Sequence, residues 1–186
     1  YLQTGDYDPA TNPFPYDHGY LQALDALRAL YHVYNGLDAL GVPFDKRRIY
    51  AAGGSGGGNV SLMANKLAPR TFAAIVEMCG MAKLNDDIAF GLPGGSKASA
   101  CYSRDPESPR YLSPDGQALR DLGNADHLKA MKELGNAARV ISVHGSTDDL
   151  ISPDEKRAMT DRMTEAGLDV KLHWLTENEV DGEAVR

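Results

Sequence analysis

The sequence predicts an α/β fold in which a mostly parallel sheet is sandwiched by helices. Four short apolar runs have the length and residue content of strands, and they cover residues 48–52, 72–78, 140–143 and 170–175. Segments whose apolar residues recur every three or four positions, as in amphipathic helices, lie between and before these runs. This alternation is typical of a parallel sheet, because neighbouring parallel strands are joined by crossover helices.

The composition is that of one globular domain, which we expect to span residues 1–186. Of the 186 residues, 42% are apolar and 24% are charged, a balance that allows a hydrophobic core. The formal net charge of -7 argues against nucleic acid as a partner, because no excess of basic residues is present to neutralise phosphates. We also expect no membrane association, since no apolar run approaches the roughly 18 residues of a membrane span.

The predicted helices begin and end at residues with known capping preferences. The first helix is expected from Asp17 to Gly36 or Gly41, since glycine commonly ends helices in the left-handed conformation. The last helix should begin after Ser152, an N-cap residue with a glutamate three positions later, and should end at Gly167.

The segment between residues 80 and 135 differs from the rest of the chain. It is rich in glycine, proline, serine and charged residues, and only one helix is predicted in it, around residues 126–134. Long excursions between sheet strands commonly form lids or substrate-binding inserts. We therefore expect a lid-like insert at about residues 80–135.

The most informative segment is GGSGG at residues 53–57, a Gly-x-Ser-x-Gly pattern between the strand at 48–52 and a helix predicted at 60–67. A serine at a tight turn from strand to helix requires small neighbours and presents its hydroxyl above the sheet edge. The next N–H group, at the start of the helix, points to where an oxyanion would form. We therefore predict Ser55 as a nucleophile and Gly56 as an oxyanion-hole donor.

Two other interpretations of this segment fit the sequence less well. A glycine- and serine-rich stretch can be a flexible linker, but a linker would not lie directly between a buried strand and a helix. A phosphate-binding loop would need a Lys-Ser or Lys-Thr pair, or a dinucleotide-binding glycine pattern, and the segment has neither.

Residues 45–50 (DKRRIY), which lead into the turn, and residues 144–151 (HGSTDDLI) carry a family resemblance. With the turn itself, they make the chain resemble the α/β-hydrolase superfamily, in particular branches similar to prolyl oligopeptidases and polyhydroxyalkanoate depolymerases. In that family the His-Gly-x-x-Asp loop carries the triad acid, which implies this role for Asp148. Asp149 is the neighbour with which it could be confused.

The resemblance leaves the catalytic base unassigned. Asp148 could alternatively be a turn residue, and Glu77 is a weaker candidate for the acid. The family motif implies that His144 braces the acid loop, and His173 lies inside the last predicted strand. No histidine follows it, so we expect the base to lie outside this chain.

The resemblance also implies a fold that is incomplete at both ends. The family has several strands before the first helix predicted here, and the second oxyanion donor lies among them. We therefore expect the chain to be a fragment whose missing segments are needed for folding, because its sheet would have an unpaired edge.

The expected activity is that of a serine hydrolase that cleaves an ester or amide bond through a Ser-His-Asp triad and an acyl-enzyme intermediate. A carboxylic ester is favoured over a peptide, since no propeller or other substrate-filtering domain is recognisable. The expected partner is a small-molecule ester or peptide substrate, with no metal and no cofactor required. The alternative is a non-catalytic homologue that serves as a binding or scaffold protein.

The two cysteines, Cys79 and Cys101, fit no metal-binding motif. We expect them to be ordinary reduced cysteines, although the sequence alone leaves a disulfide between them open.

Overall fold

The computed structural model describes residues 14–91 and 99–179, which form a four-stranded parallel sheet with helices packed against it. The strands are β1 (Tyr50–Gly54), β2 (Ala74–Met78), β3 (Arg139–Gly145) and β4 (Val170–Leu175). The helices are α1 (Tyr20–Ala39), α2 (Gly56–Leu67), α3 (Asp86–Phe90), α4 (Pro114–Leu119), α5 (Ala125–Glu133) and α6 (Pro153–Glu165). The predicted α/β class is confirmed.

The strand order is β1-β2-β3-β4, and each neighbouring pair is parallel. Gly54 pairs with Met78, and Met78 pairs with Val143. The carboxyl ends of the strands therefore align at one edge of the sheet. The residues that follow them, among them Ser55 and Cys79, lie side by side there.

The two faces of the sheet differ in burial. Ile75 on β2 and Val140 on β3 belong to the main core, which also contains residues of α1, α2, α5 and α6. On the opposite face Tyr50 is 64% exposed and Met78 is 50% exposed. The expectation that the strand at 48–52 is buried on both faces is therefore wrong, because the side chains on this second face of β1 and β2 remain exposed in the described part of the chain.

The helix ends follow the capping signals. The helix expected from Asp17 begins at Tyr20, and it runs past Gly36 to Ala39, with Gly41 left-handed at φ 66°. Ser152 caps α6 by accepting a hydrogen bond from the Glu155 N–H at 3.3 Å, and Gly167 is left-handed at φ 75°. These signals are local, which is why the sequence reveals them.

The insert is folded where it is described, and residues 92–98 lie outside the described part. The helix expected around 126–134 is confirmed as α5, whereas α3 and α4 were not predicted. A second apolar cluster fills this segment, and it contains Met81, Leu84, Ile88, Ala89, Ala100 and Leu112. Whether the insert acts as a lid stays a prediction.

A buried ion pair ties the insert to the start of α1. The Arg120 guanidinium binds the Asp17 carboxylate, and the Tyr102 hydroxyl donates to the same carboxylate at 3.2 Å. Burial raises the pKa of Tyr102 to about 12, so this phenol remains a hydrogen-bond donor at neutral pH.

Within residues 14–91 and 99–179, no helix combines the length and apolar character needed to cross a membrane.

Candidate active site

Ser55 lies between β1 and α2 in a backbone conformation that a residue with a Cβ rarely adopts. Its φ is 50° and its ψ is -119°, and the residue is exposed. The turn is held by two backbone hydrogen bonds, from the Ser55 N–H to the Met78 carbonyl at 2.7 Å and from the Asn59 N–H to the Ser55 carbonyl at 3.1 Å. The hydroxyl is thus presented by a strained turn at the carboxyl edge of the sheet.

Close backbone contacts require two glycines at this turn, Gly53 and Gly80, whereas a Cβ on Gly56 or Gly57 would meet nothing within 4 Å. A Cβ on Gly53 would lie 2.3 Å from the carbonyl carbon and oxygen of Gly57, and a Cβ on Gly80 would lie 2.8 Å from the Asn59 nitrogen. The helix after the turn begins at Gly56, four residues earlier than predicted. The glycine-rich segment is therefore a packed strand-to-helix turn, and the linker interpretation does not apply.

Gly56 is the first residue of α2 and is exposed. The first N–H groups of a helix have no acceptor within the helix, and the helix dipole adds partial positive charge there. The Gly56 N–H is thus available to an anion beside Ser55.

The strain at Ser55 can be measured as stability. The free energy of unfolding of Ser55→Gly should be about 1 kcal/mol higher than that of Ser55→Ala, because glycine adopts this backbone conformation without a Cβ clash. Urea denaturation of the two variants, both of which lack the hydroxyl, isolates the backbone effect. Equal stabilities would mean that the turn is not strained.

Asp148 lies in the loop after β3. Its Oδ1 atom accepts hydrogen bonds from the N–H groups of Leu150 at 3.0 Å and Ile151 at 2.9 Å. Its Oδ2 atom lies 3.8 Å from His144 Nε2, too far for a hydrogen bond, and the side chain is 17% exposed. One oxygen therefore fixes the carboxylate as a turn residue would, and the other remains able to accept a further hydrogen bond. Asp149, by contrast, is exposed.

The sheet sets the separation between Ser55 and Asp148. Ser55 follows β1 and Asp148 lies beyond the end of β3, two strands away. Strands are spaced by about 4.8 Å, so the two loops are roughly 10 Å apart across the sheet. A histidine side chain inserted between them could contact both.

The described histidines near this edge do not supply that side chain. His144 is fully buried, and its Nε2 atom lies 3.1 Å from the Ile151 carbonyl oxygen. This contact agrees with the expected bracing of the acid loop. His173 lies within β4, as predicted, and its side chain is exposed.

Glu77, the weaker candidate for the acid, is fully buried and already has partners for both carboxylate oxygens. Its Oε1 atom accepts from Lys156 Nζ at 2.8 Å and from the Ser142 hydroxyl, and its Oε2 atom accepts from the Gly80 N–H at 2.9 Å. Lys156 is also fully buried. Glu77 therefore holds β2, β3 and α6 together and is not free to orient a histidine, so that alternative is wrong.

Removing the lysine from this pair should be costly. We expect Lys156→Met to lower the free energy of unfolding by about 3–5 kcal/mol, because the buried Glu77 carboxylate would lose its countercharge. The matched control is Lys129→Met, whose exposed pair with Glu133 spans 3.9 Å and should contribute under about 0.5 kcal/mol. Similar urea midpoints for the two variants would contradict the assigned role.

The structure also places together three residues that the sequence did not connect. Cys79 follows β2 with a φ of 51°, and one donor atom each of Cys79, His144 and Asp148 lie within 4.8 Å of one another. Their spacing in the sequence gives no signal, because the residues meet only through the register of β2 and β3. Both cysteines are free, so the disulfide left open by the sequence is absent.

Comparisons with known proteins support the architecture. The most similar folds include a puromycin-hydrolyzing peptidase from Mycobacterium tuberculosis, with a TM-score of 0.59 and 19% identity over 86% of this chain and 22% of that one. An acylaminoacyl peptidase from Pyrococcus horikoshii aligns with a TM-score of 0.56 and 17% identity over 80% of this chain and 22% of that one. FphF, a fluorophosphonate-binding serine hydrolase from Staphylococcus aureus, aligns with a TM-score of 0.53 and 15% identity over 81% of this chain and 56% of that one.

The chain thus spans about a fifth of the length of the two peptidases and about half that of FphF. These similarities show an α/β-hydrolase fold. No curated protein sequence matches the chain. Residues 4–186 match the sequence profile of DUF2920, described as a protein of unknown function. Because that match covers nearly the whole sequence, the chain belongs to the DUF2920 family.

Proposed function

We propose that this chain carries the nucleophile and the acid of a serine hydrolase that cleaves ester or amide bonds. Ser55 is the nucleophile, the Gly56 N–H is one oxyanion donor, and Asp148 orients a histidine base that lies outside this chain. The preferred substrate is a small-molecule carboxylic ester, with a peptide as the alternative.

The observation that carries the proposal is the backbone of Ser55. An exposed serine with φ 50° at a strand-to-helix turn costs stability, and such strain concentrates at functional sites. A serine that served only to cap α2 would accept a hydrogen bond from the helix start, and the Ser55 side chain makes no such bond.

The position of Asp148 adds support. Its Oδ1 atom is bound by two backbone N–H groups, which hold the carboxylate in one orientation. A carboxylate held in this way can accept a hydrogen bond from an imidazole through Oδ2 and fix its tautomer.

In the proposed reaction the histidine removes the proton of the Ser55 hydroxyl as its oxygen attacks the carbonyl carbon. The Gly56 N–H stabilises the oxyanion of the tetrahedral intermediate. Collapse of this intermediate expels the alcohol or amine, which takes the proton from the histidine, and water then hydrolyses the acyl-enzyme by the same steps.

The test is labelling of the full-length protein with a fluorophosphonate probe, with the modified peptide identified by mass spectrometry. We expect a single adduct on Ser55. Absence of an adduct in folded protein would contradict the proposal and favour a binding or scaffold role. Turnover of an ester and an amide with the same acyl group would then decide between the substrate classes.

A further inference from the structure

Cys79, His144 and Asp148 form a cluster at the carboxyl edge of the sheet, next to the Ser55 turn. Met78 pairs with Val143, and the Cys79 N–H donates to the Val143 carbonyl at 2.9 Å. This register places Cys79 beside His144, and one donor atom of each of the three residues lies within 4.8 Å of the others. The cluster thus joins the ends of two neighbouring strands.

The donor atoms are those that Zn²⁺ prefers. Thiolate, imidazole and carboxylate bind zinc at about 2.0–2.3 Å in tetrahedral geometry, which separates neighbouring ligand atoms by roughly 3.3–3.6 Å. In the cluster, one donor atom of each residue lies within 4.8 Å of the other two. Side-chain movements of about 1–2 Å would therefore bring three donor atoms to ligand distances, and three protein ligands leave a fourth position for water.

His144 supplies an independent observation. Its Nε2 atom faces the Ile151 carbonyl oxygen, which can only accept, so Nε2 carries the proton. The Nδ1 atom then carries a lone pair, and it is buried without a hydrogen-bond partner in the described part of the chain. Buried acceptors are normally satisfied. A cation bound at Nδ1 would satisfy it and leave the Nε2 bond in place, as metal-binding histidines usually require.

Two of the three ligands are accessible to solvent. Cys79 is only partly buried and the Asp148 side chain is 17% exposed, whereas His144 is fully buried. A hydrated ion would therefore first meet Cys79 and Asp148, and His144 would complete the site from the protein side.

We propose that Cys79, His144 and Asp148 form a Zn²⁺-binding site that controls the catalytic acid. The ion occupies the Asp148 carboxylate, which is then unable to orient the histidine base, so zinc inhibits hydrolysis reversibly. The inhibition rests on the proposed function, whereas the binding of zinc does not.

Binding is tested with Co²⁺, which replaces zinc and absorbs light. Titration of the reduced full-length protein should produce a thiolate-to-cobalt charge-transfer band that saturates at one equivalent and disappears when Zn²⁺ is added. Cys79→Ser should abolish the band, and Cys101→Ser, the matched control, should retain it. No band, or a band that survives Cys79→Ser and is lost in Cys101→Ser, would overturn the site.

A second measurement needs no variant. Zn²⁺ should slow alkylation of Cys79 in the unmodified protein and leave that of Cys101 unchanged, as read by mass spectrometry of the two peptides. Equal alkylation of Cys79 with and without zinc would also overturn the site.

The inhibition is tested with the fluorophosphonate probe. Zinc should suppress labelling of Ser55 in the parent protein, and chelation should restore it. If zinc binds at Cys79 and labelling of Ser55 is unaffected by it, the regulatory part is wrong and the metal site stands. If Ser55 is never labelled and cobalt still binds, the proposed hydrolase function fails independently of the site.

Discussion

Ser55→Ala should lower kcat/KM for an activated ester by about 10⁴-fold to 10⁶-fold and should abolish fluorophosphonate labelling. Loss of the hydroxyl removes the atom that forms the acyl-enzyme, while the Gly56 N–H and the rest of the turn remain. The residual rate would come from oxyanion stabilisation and substrate binding alone. The larger this residual contribution is, the closer the loss in kcat/KM lies to 10⁴-fold.

The fold should survive this substitution. The Ser55 side chain makes no capping hydrogen bond to α2, and the turn is held by backbone hydrogen bonds of residues 55 and 59. Ser108→Ala, in the insert, is a matched control that removes a hydroxyl and should leave the hydrolysis rate unchanged. Hydrolysis by Ser55→Ala at the parent rate would exclude Ser55 as the nucleophile.

The sequence predicted those parts of the structure that depend on neighbouring residues. The strand at 170–175 coincides with β4, and α6 begins and ends at its predicted caps, because alternation and capping are local patterns. The short helices α3 and α4 were missed, although Asn85 and Ser113 cap them through their side chains. Helices of five and six residues are too short to show a clear apolar period.

The same distinction applies to the candidate site. The Ser55 turn and the Asp148 loop are each contained in a few consecutive residues, so both could be recognised from the sequence. Glu77 could not be judged in this way, since its partner Lys156 is 79 residues away. The proximity of Cys79 to His144 likewise depends on the pairing of β2 with β3, which no single segment encodes.

Asp148→Asn should lower kcat/KM by about 10⁴-fold, because an amide can donate to the imidazole and so favours the wrong tautomer of the base. Asparagine is nearly isosteric with aspartate. Its carbonyl oxygen can still accept from the N–H groups of Leu150 and Ile151, so the loop should keep its conformation. The midpoint temperature of thermal unfolding of the variant should therefore remain close to that of the parent protein.

Asp149→Asn is the control that separates the proposed acid from a general effect of charge. It removes the same charge from the adjacent residue, whose side chain is exposed. Salt largely screens charges on the protein surface. We therefore expect kcat/KM to change by about twofold or less at physiological ionic strength. If the two variants lose activity equally, the loop acts through its charge alone. If only Asp149→Asn is inactive, the acid is the neighbour that the sequence could not exclude.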